Sequence, residues 1–192
     1  RQGSWMASWR RSYFDLLMDL VPDSFGGTTA IPNYSNFQTK VTYDLTPTNL
    51  LSMISLGGID QIRIMSSDDP LSRGTSSAYR DSYQYTLGFN WRWLFAEKGY
   101  SNLTLAHSCY QYMIDVGDSQ GAEAFTSDTL EGETQLKGEI NYDLAPQHQV
   151  ILGTSTKLVN LNHKFNSRGI DVNNNETGRV EQNGNCLLYT SD

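Results

Sequence analysis

Residues 83–93 read Tyr-Gln-Tyr-Thr-Leu-Gly-Phe-Asn-Trp-Arg-Trp, with an aromatic residue or leucine at every odd position and a polar residue or glycine at every even one. Side chains of an extended strand point alternately to its two faces. One face of this stretch therefore carries Tyr83, Tyr85, Leu87, Phe89, Trp91 and Trp93, and the other Gln84, Thr86, Gly88, Asn90 and Arg92. The apolar face holds no charge, and it sets Tyr and Trp at its ends with Leu and Phe between them. A strand that meets lipid needs that order: apolar atoms at depth and amphipathic rings at the two water boundaries. At ~3.3 Å per residue and ~45° of tilt the stretch spans roughly 23 Å of height, close to the ~25 Å apolar band of an outer-membrane barrel. A half-solvated strand of a soluble sandwich alternates as well, so recurrence of the pattern and the rhythm of the turns must separate the two.

The pattern recurs. Residues 3–12 read as a Trp-rich strand ending in Arg10 and Arg11. In residues 34–45, Phe37, Thr39, Val41, Tyr43 and Leu45 share one face, opposite Gln38, Lys40, Thr42 and Asp44. Residues 50–64 return with blurred alternation, because Leu50-Leu51 and Met53-Ile54 are adjacent apolar pairs. Residues 102–115 carry Leu103, Leu105, Tyr110, Tyr112 and Ile114, with a change of phase in the middle. Residues 130–144 give the cleanest segregation. Leu130, Leu136, Ile140, Tyr142 and Leu144 fall on one face, and Glu131, Glu133, Lys137, Glu139 and Asp143 all fall on the other. Lys at mid-membrane on a lipid face costs ~2–4 kcal/mol, which is a physical reason for that sorting. Residues 149–163 form a further strand, and residues 166–185 read as a polar, open-ended connection. Residues 13–21, with Phe14, Leu17, Met18 and Val21 at helical spacing, fit a short amphipathic helical turn.

Connections between these strands alternate in length: short at 46–49, long at 65–79, short near Lys98, long at 116–127, short at 145–148, long after His163. Short periplasmic turns and long extracellular loops are the outer-membrane barrel rhythm. The strands read as ten to fifteen residues long, against about five or six in soluble sheets. Tyr43-Asp44-Leu45-Thr46-Pro47 recurs as Tyr142-Asp143-Leu144-Ala145-Pro146, two copies of one hairpin solution at the inner rim. The fold class expected is all-β: an antiparallel transmembrane β-barrel fragment of about seven long strands. Such a fragment, taken alone, should be an open antiparallel sheet.

Composition narrows function more than it names it. A net charge of −7 with no basic cluster argues against nucleic acid. Hydrophobic content of 38% with 11% aromatics suits a protein whose second face is wet, and no apolar run approaches the ~18 residues of a transmembrane helix. The chain starts at Arg1 with no secretory leader, which for an outer-membrane protein implies a truncation point. Two cysteines, Cys109 and Cys186, are too few for a disulfide scaffold. The ending Cys-Leu-Leu-Tyr-Thr-Ser-Asp resembles the translation of a transposon end used to prepare sequencing libraries. Residues 186–192 are therefore expected to be a sequencing-adapter scar, not native, and residues 1–185 the partial barrel domain.

No catalytic constellation stands out, and no enzyme, cofactor or metal is expected. Residues 171–176 resemble a calcium loop, but Glu176 stands where glycine is needed and Gln182 where the bidentate Glu belongs. Asp68-Asp69 reads as plain loop. His107, His148 and His163 lie on different strands or turns without ligand spacing. Arg10, Arg11, Tyr13 and Arg73 are the candidates for ligand contact at the outer rim, since Arg suits carboxylates and phosphates; ordinary rim electrostatics, with lipopolysaccharide phosphates as counterions, is the simpler account of them. The inward row Glu131, Glu133, Lys137 and Glu139 fits contact with the wet interior of the barrel rather than with a ligand. The expected lipid-facing set is Tyr83, Tyr85, Leu87, Phe89, Trp91, Trp93, Leu136, Ile140 and Tyr142.

Gly3-Ser4-Trp5 leading to Arg10-Arg11-Ser12-Tyr13-Phe14-Asp15, the run Ile31-Pro32-Asn33-Tyr34-Ser35-Asn36-Phe37-Gln38-Thr39-Lys40-Val41-Thr42-Tyr43-Asp44-Leu45-Thr46-Pro47, and Leu56-Gly57-Gly58-Ile59-Asp60 together resemble the early barrel of TonB-dependent outer-membrane receptors, and the resemblance extends to about His163. It implies a roughly 22-stranded barrel plugged by an N-terminal domain, in the outer membrane of a Gram-negative bacterium. Such a barrel takes up a scarce ligand of the siderophore, cobalamin or glycan type. The implied partners are outer-membrane lipid, the plug domain, the inner-membrane energy-coupling protein acting through the plug, and a small ligand. The stretch departs from the family in lacking the plug, the coupling box and the C-terminal aromatic strand. The competing readings are a passive porin-like barrel and a soluble carbohydrate-binding β-sandwich.

Overall fold

The computed structural model describes residues 2–13, 29–65, 77–117, 123–170 and 176–191. Within them the chain runs as eight strands: β1 (Gly3–Arg11), β2 (Thr29–Thr46), β3 (Asn49–Met65), β4 (Ser77–Ala96), β5 (Gly99–Gly117), β6 (Glu123–Ala145), β7 (His148–Ile170) and β8 (Glu176–Ser191). They form one antiparallel sheet in the order β1-β2-β3-β4-β5-β6-β7-β8, so every strand pairs with its neighbours in sequence. β1 and β8 are the two edges, and the sheet is open, as the sequence led one to expect of an isolated piece. A sandwich would fold a second sheet over the aromatic side chains of residues 83–93. Among the described residues there is a single sheet, and those side chains point outward.

Three hairpins close at one end of the sheet, at Pro47-Thr48, Glu97-Lys98 and Pro146-Gln147. In each the register shifts just before the turn, between Asp44 and Thr46, between Leu94 and Ala96, and between Asp143 and Ala145. The repeated Tyr-Asp-Leu-x-Pro segments thus occupy equivalent irregularities, with proline as first turn residue in both. Proline presets the φ that position needs. In the first hairpin Asn49 Nδ2 donates to Thr46 Oγ1 at 2.8 Å and fastens the turn. At the opposite end of the sheet β3 is followed by β4, β5 by β6 and β7 by β8. The expected helical turn over residues 13–21 lies outside the described residues except for Tyr13, which follows the end of β1.

The strands are longer than expected. β4 has 20 residues, β5 19, and β6 and β7 23 each. Part of what reads as loop is strand that continues past the apolar stretch: Met65 and residues 77–79 in the first connection, and residues 116–117 and 123–127 in the second. Residues 166–185 likewise are not one open connection: β7 continues to Ile170, and β8 pairs back along it, from Glu176 opposite Ile170 to Ser191 opposite Thr156. An edge strand offers a row of unpaired N–H and C=O groups, and satisfying them outweighs the poor strand propensity of Asn and Gly. β8 takes in residues 186–191; backbone pairing asks only for extended chain, whatever the origin of those residues.

The sheet has no core of its own. Among the described residues no hydrophobic side chain is buried, and the buried polar residues are Ser12, Ser82 and Asn141. Phe89 at 46%, Leu136 at 46% and Ile140 at 49% exposure sit in mid-strand with nothing packed over them. A soluble monomer rarely leaves so large a contiguous apolar surface open.

Candidate functional site

Residues paired across an antiparallel ladder share a face, so the register sorts the whole sheet into two surfaces. Phe89 pairs with Met53 and Leu105, Met53 with Val41, Val41 with Trp5, and Leu105 with Leu136. Together with Tyr43, Leu51, Trp91 and Leu103 these residues line a shallow apolar groove on one surface, apart from Trp5 at its β1 side. The same surface takes Trp93 with Ser101 and Ile140, Leu87 with His107 and Thr134, and Tyr142 opposite Gly99. All nine residues of the expected apolar set therefore lie on one face, hereafter the aromatic face.

This face is free of Lys, Arg, Asp and Glu over a continuous band. The band runs through residues 35–43 of β2, 51–59 of β3, 83–95 of β4, 101–111 of β5, 130–142 of β6 and 150–162 of β7. Along β4 it is 12 residue steps from Tyr83 to Phe95, roughly 28 Å of height at ~45° tilt. Charge enters the aromatic face beyond the band, at Arg11, Arg63, Asp81, Asp115, Asp128, Lys164 and Arg168, all toward the ends of the strands remote from the short turns. The opposite, polar face of the same residues bears Lys40, Arg92, Glu131, Glu133, Lys137, Glu139 and Lys157. Several of these pair with one another: Lys137 with Glu139 at 3.3 Å, and Lys157 with Glu133 at 3.0 Å. Hydroxyl and amide rungs fill the space between, including Thr86 with Ser108 at 2.8 Å and Asn90 Nδ2 donating to Thr104 Oγ1 at 2.9 Å.

The rims of the band are aromatic, and two of their indole N–H groups are satisfied. Trp91 Nε1 donates to Asn49 Oδ1 at 3.0 Å near the short turns, and Trp9 Nε1 donates to Ser35 Oγ at 2.9 Å toward the other rim. Trp91 stacks on Trp93, Trp93 meets Phe95 edge-on, and Phe95 stacks on Tyr142 with ring planes 7° apart. Gly99 lies beneath that last pair, and a Cβ built there would stand 2.6 Å from the Phe95 ring and 2.7 Å from the Tyr142 ring.

Among the described rim candidates, Arg10 and Arg11 do not share a face. Arg10 pairs with Asn36 on the polar face, whereas Arg11 pairs with Ser35 on the aromatic face. Neighbours in a strand cannot serve one ligand on one surface. Tyr13 is exposed just past β1, and Arg73 lies outside the described residues. Asp68-Asp69 and residues 171–175 also lie outside them. His107 shares a hydrogen bond with Thr134 on the aromatic face, His163 shares one with Thr129 on the polar face, and His148 opens β7. Among the described residues no three His, Cys, Asp or Glu side chains gather where they could hold a metal ion.

One cluster escaped the sequence reading. On the polar face, toward the ends remote from the short turns, Tyr110 stacks on Tyr112 with centroids 6.3 Å apart. The Arg80 guanidinium lies 4.8 Å over the Tyr112 ring. Two strands away His163 stacks with Phe165, which meets Phe125 edge-on at 5.3 Å. The signal was the change of phase in residues 102–115. It is no bulge, because β5 keeps continuous register with β4 from Ser101 to Gly117. Leu103 and Leu105 face one way, and Tyr110, Tyr112 and Ile114 face the other, because the aromatic residues change surface.

These features define a class: a single antiparallel meander with one uncharged aromatic band and one charged, hydrogen-bonded face. Compared with family models, curated proteins and solved structures, the chain matches none.

Proposed function

We propose that this chain is part of the barrel of a TonB-dependent outer-membrane receptor, in the outer membrane of a Gram-negative bacterium, taking up a scarce ligand of the siderophore, cobalamin or glycan type. The observation that carries the membrane reading is the uncharged band on β2–β7, of about one membrane height, with the charges at the same level on the opposite face. Lipid would cover the aromatic face. Water and the plug domain would meet the polar face, and the inner-membrane energy-coupling protein would act through that plug. Hydrocarbon does not tolerate unpaired backbone groups, so further strands would cover the edges at β1 and β8. The likeness of residues 3–60 to the early barrel of such receptors separates this reading from a passive porin.

Two experiments test it. The chain is refolded with and without phospholipid vesicles and treated with protease. Strand protection that requires lipid is expected, and a monomer that stays folded and dispersed without lipid or detergent would sink the membrane reading. The gene is then sequenced outward from both ends of this stretch. A leader and a plug-sized domain upstream are expected. A start codon and leader directly before Arg1 would leave a plugless barrel and end the receptor proposal.

A further inference from the structure

The polar-face cluster lies on the surface that lipid would not cover. That surface is mostly hydroxyl, amide and charge, with aliphatic side chains such as Leu56, Ile114 and Leu161 among them. Tyr110, Tyr112, His163 and Phe165 are all part-exposed, and Arg80 is exposed. The register places the groups side by side on four strands: Tyr112 is paired with Ser82 and Thr129, Thr129 with His163, and Arg80 with Ile114. Each ring is held. Tyr112 is contacted by the Tyr110 ring and the Arg80 guanidinium, and His163 is fixed by Thr129 at 2.7 Å and by the Phe165 ring.

We propose that this shelf is a carbohydrate subsite, taking the sugar rings of a neutral oligosaccharide; the proposal rests on the receptor reading above and names its ligand class. The apolar C–H faces of a pyranose lie flat on aromatic rings, and its rim of hydroxyls needs neutral donors and acceptors close by. Both are present. Tyr110 is paired with Gln84 and Tyr112 with Ser82 and Thr129, and Ser108 lies one step toward the short turns. Rigid, half-exposed rings lose little conformational entropy when they bind. A guanidinium stacked on Tyr112 keeps its N–H edge free to donate. Charge favours a neutral ligand over an anionic one. On this face around the shelf Arg10 and Arg80 are balanced by Asp60 and Glu131, so no net positive field gathers carboxylates or phosphates.

The test uses the full chain folded in lauryldimethylamine oxide micelles, a detergent without a sugar headgroup, with maltohexaose and cellohexaose as probes in calorimetric titrations to millimolar concentration. Saturable binding of at least one hexasaccharide is expected. Tyr110→Ala and Tyr112→Ala should each weaken it about tenfold. Tyr112→Phe, which keeps the ring, should bind as the parent does, as should Tyr85→Ala on the opposite face. Each variant is first required to keep the parent's strand circular dichroism and lipid-dependent protease protection. Any one of three results overturns the subsite: neither sugar binds, the two alanine variants bind as tightly as the parent, or citrate binds the shelf and displaces the sugar. Lipid-dependent protection is read on the same samples. Loss of sugar binding with that protection intact removes this inference alone, and loss of the protection removes the membrane reading beneath it.

Discussion

The half of the sheet near the short turns and the half remote from them use the same strands in opposite ways. Near the turns the aromatic face is Val41, Met53, Phe89, Leu105 and Leu136, and the polar face carries Lys40, Arg92, Lys137 and Glu139. In the remote half, charge appears on the aromatic face at Asp81, Asp128 and Lys164, while Tyr110, Tyr112, Phe125 and Phe165 have moved to the polar face. One sheet with one register thus meets two different pairs of environments. In the proposed membrane setting the near half has hydrocarbon outside and water inside. The remote half has water outside and a vestibule inside, where aromatic rings have something to bind. The strand lengths agree, since 23 residues of β6 at ~3.3 Å and ~45° span roughly twice the apolar band.

This contrast can be broken at its strongest point first. Leu136→Arg puts a guanidinium in the middle of the band and should cost about 2–4 kcal/mol in urea titrations of the vesicle-bound chain. Met113→Arg, on the same face in the remote half, should stay within about 0.5 kcal/mol of the parent. Equal losses for the two would mean that the aromatic face meets one environment along its whole length. Gly99→Val comes next: its Cβ would collide with the stacked Phe95 and Tyr142 rings, and overpacking of that kind costs about 1–3 kcal/mol. The same titration should register the loss, together with a change in near-ultraviolet circular dichroism as the stack opens. Trp91→Phe keeps a ring at the rim but removes the hydrogen bond to Asn49, an expected loss of about 1 kcal/mol. Smallest is Lys157→Ala, which breaks a part-exposed pair with Glu133 on the polar face. It should shift the midpoint by no more than about 1 kcal/mol, and added salt should shrink the difference.

Much of this architecture is legible in the one-dimensional pattern. A period of two with aromatic residues on one parity specifies strands and the face each side chain takes, as residues 83–93 and 130–144 do, because alternation is a local property of extended chain. Pro47, Pro146 and the Lys98-Gly99 step mark the hairpins for equally local reasons. The blurred stretch 50–64 could not be oriented this way, because it offers apolar residues to both parities. The ladder settled it by pairing Leu51, Met53 and Ile59 with Trp91, Phe89 and Tyr83, leaving Leu50, Ile54 and Leu56 on the polar face. The extent of β7 and the existence of β8 also lay beyond the pattern, since Asn- and Gly-rich segments pair only when a neighbouring edge supplies partners.

Arg10 and Arg11 part for the same reason that the shelf was missed. Proximity in sequence put Arg10 and Arg11 together, and parity in the sheet sends them to opposite surfaces. Arg80, Tyr112 and His163 are far apart in sequence, and only pairing between strands brings them onto one patch. Alternation, turn chemistry and the sorting of charge by parity are set residue by residue along the chain. Register, and with it every neighbour relation across strands, depends on backbone hydrogen bonds made between distant segments, and no local preference specifies those.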